Sequence, residues 1–248
     1  MHDEKYSMSI TNTEKSMWPG NTAVLIPAYK ASEALAVFLP QLVQQVPAFM
    51  ILVVDDASAD TTSAVCAEHG IACLKHEKNQ GKGAALQTGF RHLLGQGFRW
   101  IISMDADGQH TVDDLPSFLE AARNNPDAGL IIGARSITLK AMPPARIFSN
   151  TVTSGILSMM CGQKILDSQC GYRIYSAELL QSIVLSRKRF EMESEVILKA
   201  CSAGFAIRFV PVQTLYCSKQ SHISHVRDML RWIRAVIGVW IGLLRSGK

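Results

Sequence analysis

The chain has 248 residues, 48% of them hydrophobic, which is enough to bury the core of one large domain and too apolar for a disordered chain. Its 25 basic and 21 acidic residues leave a net charge of +4, too mild to argue for a nucleic-acid partner. Six scattered cysteines, with no Cys-x-x-Cys pair and no histidine at zinc-ligand spacing, exclude a zinc module and fit reduced thiols in a cytosolic protein.

Residues 1–20 are polar, lack the basic-then-apolar layout of a signal peptide, and read as a flexible lead-in. The apolar run 23–26, stopped by Pro27, is a first buried strand that delivers Tyr29 and Lys30 into a loop. Ser32 is placed to cap a helix that runs to about Gln45. A second strand at 50–54 ends in Asp55-Asp56, and a helix follows Asp60. A third strand lies at 71–74, and Gly81-Lys82-Gly83 opens a helix to about Leu94. A helix start beside a lysine suits a phosphate, although the glycine spacing matches neither a Walker A loop nor a dinucleotide fingerprint.

The fourth apolar run, at 100–104, ends in Asp105-Ala106-Asp107-Gly108-Gln109-His110. Taken alone this is a solvated acidic turn or a set of oxygens for a hard divalent cation. A fifth strand at 130–133 ends in Ala134-Arg135, residues 140–146 read as a mobile loop, and 147–161 as a helix with its Met and Leu face in the core. Asp167 precedes a turn that leads to Arg173; a helix follows Phe190 to about Ala203; a last strand covers 206–212. Repeated strand-loop-helix units imply a parallel sheet, whose ligands bind beyond the strand ends. Carboxylates at Asp55, Asp56, Asp105 and Asp107, and cations at Lys82, Arg135, Arg146 and Arg173, cluster there. A site of both signs suits a metal-bound nucleoside diphosphate.

From residue 224 onward apolar residues repeat at three and four, with Arg227, Arg231 and Arg234 on another face. This tail, 223–248, is an amphipathic basic helix suited to a membrane interface, or to packing on the domain or a second subunit. No apolar run reaches the roughly 20 residues needed to span a bilayer.

Five pieces in order carry a resemblance: Ile26-Pro27-Ala28-Tyr29, residues 53–62, residues 79–86, residues 105–110 and residues 167–173. Together the chain resembles family 2 of the glycosyltransferases, and within it the polyprenyl-phosphate hexosyltransferases of the dolichyl-phosphate mannose or glucose synthase type. The resemblance implies a GT-A fold over 21–222, with a Rossmann-like, mostly parallel sheet flanked by helices. It implies inverting transfer of a hexose from a UDP- or GDP-linked nucleotide sugar to a polyprenyl phosphate or related lipid, at the inner face of a membrane.

It also implies roles. Pro27, Ala28 and Tyr29 would line the base pocket, with Asp55 and Asp56 on the base or ribose and Lys82 near the nucleotide. Asp105 would face the ribose or metal, and Asp107 and Gln109 would coordinate magnesium or manganese on the diphosphate. Arg135 and Arg146 would hold the donor or acceptor phosphate, and Glu195 would close the inner end. A hydroxyl acceptor would instead need a base, for which Asp167, Glu193 and Glu195 are the candidates. A catalytically silent nucleotide-sugar-binding protein is the other alternative. Two departures stand out: Lys30-Ala31 replaces the family's Asn-Glu, and Lys219-Gln220 replaces the arginine before Ser221-His222.

Overall fold

The computed structural model describes residues 18–136, 142–213 and 225–245, and the side chains of 225–230 are outside it. The lead-in, apart from its last residues, and Lys219 to His222 therefore lie outside the described residues.

Seven strands form one sheet in the order β3-β2-β1-β4-β6-β5-β7. β1 (Thr22–Ala28) and β2 (Ile51–Asp55) are buried along their whole length, as expected of continuous apolar runs covered on both faces. β1 pairs in parallel with β2 and with β4 (Trp100–Ser103), and β2 with the edge strand β3 (Ala72–Lys75). The chain thus builds outward from β1 to β3 and returns to β4 on the other side. That reversal opens a crevice at the carboxyl ends of β1 and β4. Pro27 is tolerated in a central strand because it lies beyond Leu25, the last β1 residue paired with β4.

β5 (Ala128–Arg135) pairs in parallel with β7 (Ala206–Val212), but β6 (Arg173–Ser176) runs antiparallel between β4 and β5. The sheet is therefore mostly parallel, as the resemblance implies, with β6 the reversed strand among the described residues. β6 has four residues and no readable periodicity, and its reversed direction brings residues 168–172 to the crevice. Ser176 then caps the short α6 (Ala177–Ser182) by accepting from Leu179 N at 3.0 Å.

Helices flank the sheet. α3 (Lys82–Gly95) packs on β1, β2 and β4, and α7 (Glu191–Ser202) on β5 and β7, with the two helices in contact. α1 (Ser32–Gln45) packs on α2 (Thr62–Glu68), and α4 (Leu115–Asn124) lies on β5 and β7. Ser32 is the first residue of α1 rather than its cap, because its hydroxyl is taken by Asp60 Oδ2 at 2.9 Å. α5 spans Pro144–Cys161, three residues longer at its start than the sequence pattern indicates. Pro144 has no N–H to satisfy and a helical φ, so it begins the helix rather than extending the loop. Arg146 consequently sits in a first helical turn.

The buried face of α5 also differs from expectation. Asn150, Thr153, Ser154 and Leu157 face inward at i, i+3, i+4 and i+7, while Met159 is exposed. Finally α8 (His225–Arg245) lies against α7, burying Ala235, Val236 and Val239. Among the described residues no helix is long and apolar enough to cross a membrane.

α3 approaches the sheet closely at Gly89, where an added Cβ would run into the methyls of Leu25. Leu25 is fully buried and has nowhere to move. Gly89→Ala is expected to destabilise the protein by about 1 kcal/mol net, since overpacking of about 1–3 kcal/mol outweighs a helix-propensity gain of about 1. Urea unfolding reads the difference; equal or greater stability in the variant would contradict the contact.

Candidate functional site

The crevice contains a cavity of about 270 Å³ lined by the end of β4, the starts of α3, α5 and α7, and α8. Lys82, Asp105, Asp107, Gln109, Arg135 and Arg146 all line it, although they come from four separate segments. Lys82 opens α3 with its ammonium directed at carboxylates on two other elements, 2.6 Å from Asp105 Oδ1 and 2.8 Å from Glu193 Oε1. Burial works to lower the Lys82 pKa, but these two carboxylates hold it above the ordinary value.

Asp105 and Asp107 are divided in state. Burial tends to raise both carboxyls, yet Lys82 and His110 hold Asp105 well below the usual carboxylate range. Asp107 lacks an equally close cation and is raised, by burial first and by the Asp105 charge second. It accepts from Gln109 N at 3.0 Å. Gln109 Oε1 lies 3.5 Å from an Arg146 Nη1, which joins the acidic turn to α5. Two carboxylates and an amide oxygen on one turn are donors of the type a hard cation takes, with its remaining ligands from water and phosphate. The raised Asp107 is the observation that fits: although open to the solvent at the cavity mouth, its carboxylate stands beside the Asp105 charge, and a bound cation would relieve that repulsion.

Gly171 packs over this turn, and an added Cβ there would collide with the Asp105 carboxylate. Ser103 Oγ donates to Gly171 O at 2.7 Å and fixes the approach. The glycine of the 167–173 piece thus has a steric reason.

Arg135 and Asp167 form a bidentate pair, Nε to Oδ2 at 2.7 Å and Nη2 to Oδ1 at 2.9 Å. Asp167 is fully buried and does not line the cavity. Burial would raise its pKa, but Arg135 holds it below the ordinary value. Glu195 is also turned away: it accepts from Ser186 and from Arg187 N and meets Lys199 Nζ at 2.7 Å. Helical spacing alone would group Glu191 with Glu195, four residues apart; Glu195 is instead drawn out of the cavity by Ser186, Arg187 N and Lys199. Glu191 and Glu193 line the cavity and Glu195 does not.

The candidate base-pocket residues lie apart from this cavity. Pro27 and Ala28 are buried at the end of β1, and Tyr29 is half exposed with Lys30 Nζ over its ring at 5.4 Å. Asp55 accepts from Ser58 N and Ser63 Oγ. Asp56 accepts from Gln80 N at 2.9 Å and Gly81 N at 2.7 Å, which holds the turn into α3. Lys30 and Ala57 both adopt left-handed backbone, φ 52° and 63°. The asparagine usual at Lys30 tolerates that conformation better.

Arg173 departs from its expected phosphate role. It is fully buried and donates to Cys170 O, Glu193 O and Ser168 O at 2.7–2.9 Å. Sequence reasoning missed the polar wall formed by Ser149, Thr153, Ser168 and Gln169. Thr153 and Ser154 meet Ser168 Oγ at 2.9 and 3.0 Å. The available signal was the helical spacing of Asn150, Thr153 and Ser154. Trp232 of α8 also lines the cavity and donates from Nε1 to Ser194 Oγ at 2.8 Å.

Asp167→Asn is expected to cost about 3 kcal/mol near neutral pH, because it breaks a buried ion pair. The native carboxyl is depressed, so its contribution is complete above the unfolded pKa near 3.8 and disappears as pH falls through the lower native value. The gap between variant and wild type in urea unfolding should therefore narrow below about pH 4. A gap independent of pH in that range would contradict the ion pair.

Comparison with known proteins places these features in a family. Residues 23–184 match the model of glycosyl transferase family 2. The chain is 31% identical over 227 residues to a polyprenol monophosphomannose synthase from Mycolicibacterium smegmatis, covering 84% of each. It is 32% identical over 199 residues to an undecaprenyl-phosphate mannosyltransferase from Micrococcus luteus, covering 76% of this chain and 81% of that one. Among solved structures, a Mycobacterium tuberculosis glucosyl-3-phosphoglycerate synthase, crystallised with Mn2+, UDP and phosphoglyceric acid, superimposes with a TM-score of 0.67. That match covers 98% of this chain and 84% of the other at 16% identity, and so speaks to the fold alone. The seven-stranded sheet has the GT-A architecture, and the chain belongs to glycosyltransferase family 2.

Proposed function

We propose that this enzyme transfers a hexose, with inversion, from a UDP- or GDP-linked nucleotide sugar to a polyprenyl phosphate or related lipid, using Mg2+ or Mn2+. The observation that carries the acceptor assignment is the pairing of every candidate base with a cation. Asp167 holds Arg135, Glu193 holds Lys82, and Glu195 holds Lys199. Asp167 and Glu195 are also held below the ordinary carboxylate range, each despite burial, whereas a general base at neutral pH works best near 7. A phosphate acceptor is already anionic and needs no base. The two relatives named above, both polyprenol-phosphate enzymes, support the same reading.

The chain's own residues then have distinct tasks. Asp107 and Gln109, with Asp105 beside them, would hold the metal, which supplies Lewis-acid stabilisation of the departing diphosphate. Lys82 and Arg146 bring positive charge to the same cavity, where preorganised cations stabilise charge that develops in the transition state. Arg135, fixed by Asp167, presents its guanidinium on the cavity wall without conformational search. Asp55, Asp56 and the 27–29 segment are assigned to the nucleoside side. The exposed apolar side of α8 is assigned to a membrane surface, on the cytoplasmic side.

Transfer assays across UDP- and GDP-sugars, with and without polyprenyl phosphate, test the reading. Product is expected only with the phosphorylated lipid and a divalent cation, and chelation should abolish it. Transfer to the unphosphorylated polyprenol instead would favour the hydroxyl-acceptor alternative. Asp107→Asn should remove metal-dependent donor binding in calorimetry, and unchanged affinity would sink the metal assignment. Arg146→Ala should lower kcat by about a hundredfold, with Tm little changed.

A further inference from the structure

A second concavity adjoins the catalytic cavity: an open groove of about 620 Å³ between residues 186–191 and α8. Arg187, Lys188, Arg189, Arg231 and Arg234 line it, against one carboxylate, Glu191, among the described residues. Glu191 lies 3.8 Å from Arg231 Nε. The groove therefore carries a strong local excess of positive charge, although the chain as a whole is only mildly basic.

Arg187 is held there by construction. Its main chain is anchored by Glu195 and by Gln87, and its guanidinium passes so close to Gly238 that a Cβ on that glycine would lie 3.0 Å from Nη2. Its Nε is buried and has no hydrogen-bond partner among the described residues. The cations that an anionic oxygen entering the groove would meet are the exposed ones, Lys188, Arg189, Arg231 and Arg234.

The surface beside the groove is apolar. On α8, Ile233, Ile237, Ile241 and Leu244 are exposed, while Ala235, Val236 and Val239 face α7. At 100° per residue the exposed apolar residues occupy an arc of about 80°, with the arc of Arg231 and Arg234 next to it. The stripe is about 16 Å long. A helix with one face in the protein, one apolar face outward and a basic edge between solvent and groove has the layout of an interfacial helix.

The geometry points to this groove as a binding site for the phosphate headgroup of an anionic bilayer phospholipid, beside the catalytic cavity and sharing Arg189, Glu191 and Arg231 with its wall, with the lipid's acyl chains against the α8 stripe. A free phosphate accounts for the cations but leaves the adjacent apolar stripe without a partner; a bilayer lipid accounts for both. The inference rests on the membrane placement proposed above and adds its chemistry: attachment is governed by lipid charge and is independent of the polyprenyl acceptor.

Flotation of the full chain with vesicles that lack polyprenyl phosphate tests it, comparing phosphatidylcholine alone with phosphatidylcholine plus phosphatidylglycerol. Wild type is expected to float with the anionic vesicles, far less with the neutral ones, and to be released by salt. Lys188→Gln and Arg234→Gln, neither of which lines the catalytic cavity, should weaken anionic binding about fivefold per charge removed. Both should leave hexosyl transfer in detergent unchanged. If either variant fails to fold, the other is read in the same assay.

Equal flotation with both vesicle types would overturn the headgroup site while leaving the apolar membrane contact intact. Binding of both variants at wild-type strength would also overturn it. Competition by soluble glycerol phosphate as strong as by vesicles would make the groove a free-phosphate site and overturn the lipid assignment. Flotation with neither vesicle would remove the membrane placement as well, and the transfer assay reports separately on the catalytic reading.

Discussion

The arrangement of the site depends on one buried guanidinium. Arg173, at the start of β6, donates to three carbonyl oxygens, those of Ser168, Cys170 and Glu193. A charge buried this deeply is tolerated only where its donors are satisfied, so the three carbonyls hold one another in place through it. Two belong to the loop that enters β6 and the third to α7. The loop places Gly171 over Asp105, and α7 places Glu193 beside Lys82. The antiparallel strand, the acidic turn and the cavity's inner helix are thus coupled through a residue that does not line the cavity.

Around that anchor the charges are arranged in sequence rather than simply gathered. Lys82 compensates Asp105 and Glu193, Arg135 is compensated by Asp167, and Asp107 is left as the raised carboxyl of the acidic turn. The cost of Lys30 and Ala57 in left-handed backbone lies beside the same crevice, where strain is commonly concentrated.

The C-terminal helix has two faces with different partners. One packs on α7 and contributes Trp232 to the cavity wall; the other exposes an isoleucine stripe beside the arginines. The alternatives of a core-packed helix and an interfacial helix are therefore compatible, because they use different arcs of one cylinder.

Much of the fold was legible in the sequence. The buried runs of β1, β2, β4 and β5, the helices between them and the acid-bearing strand ends are local patterns, written within a few neighbouring residues. The same holds for Asp105, Asp107, Gln109, Lys82, Arg135 and Arg146, whose positions at element ends brought them to one cavity. The four-residue β6, the inward polar face of α5, and the use of Arg173 as a strut were not legible. Nor was the pairing of Lys82 with Glu193, 111 residues away. Periodicity and turn chemistry are set by adjacent residues, so the sequence by itself determined the elements and their polar ends. Which carboxylate meets which cation depends on distances created only when the sheet closes and water is excluded, and that was decided by the tertiary structure.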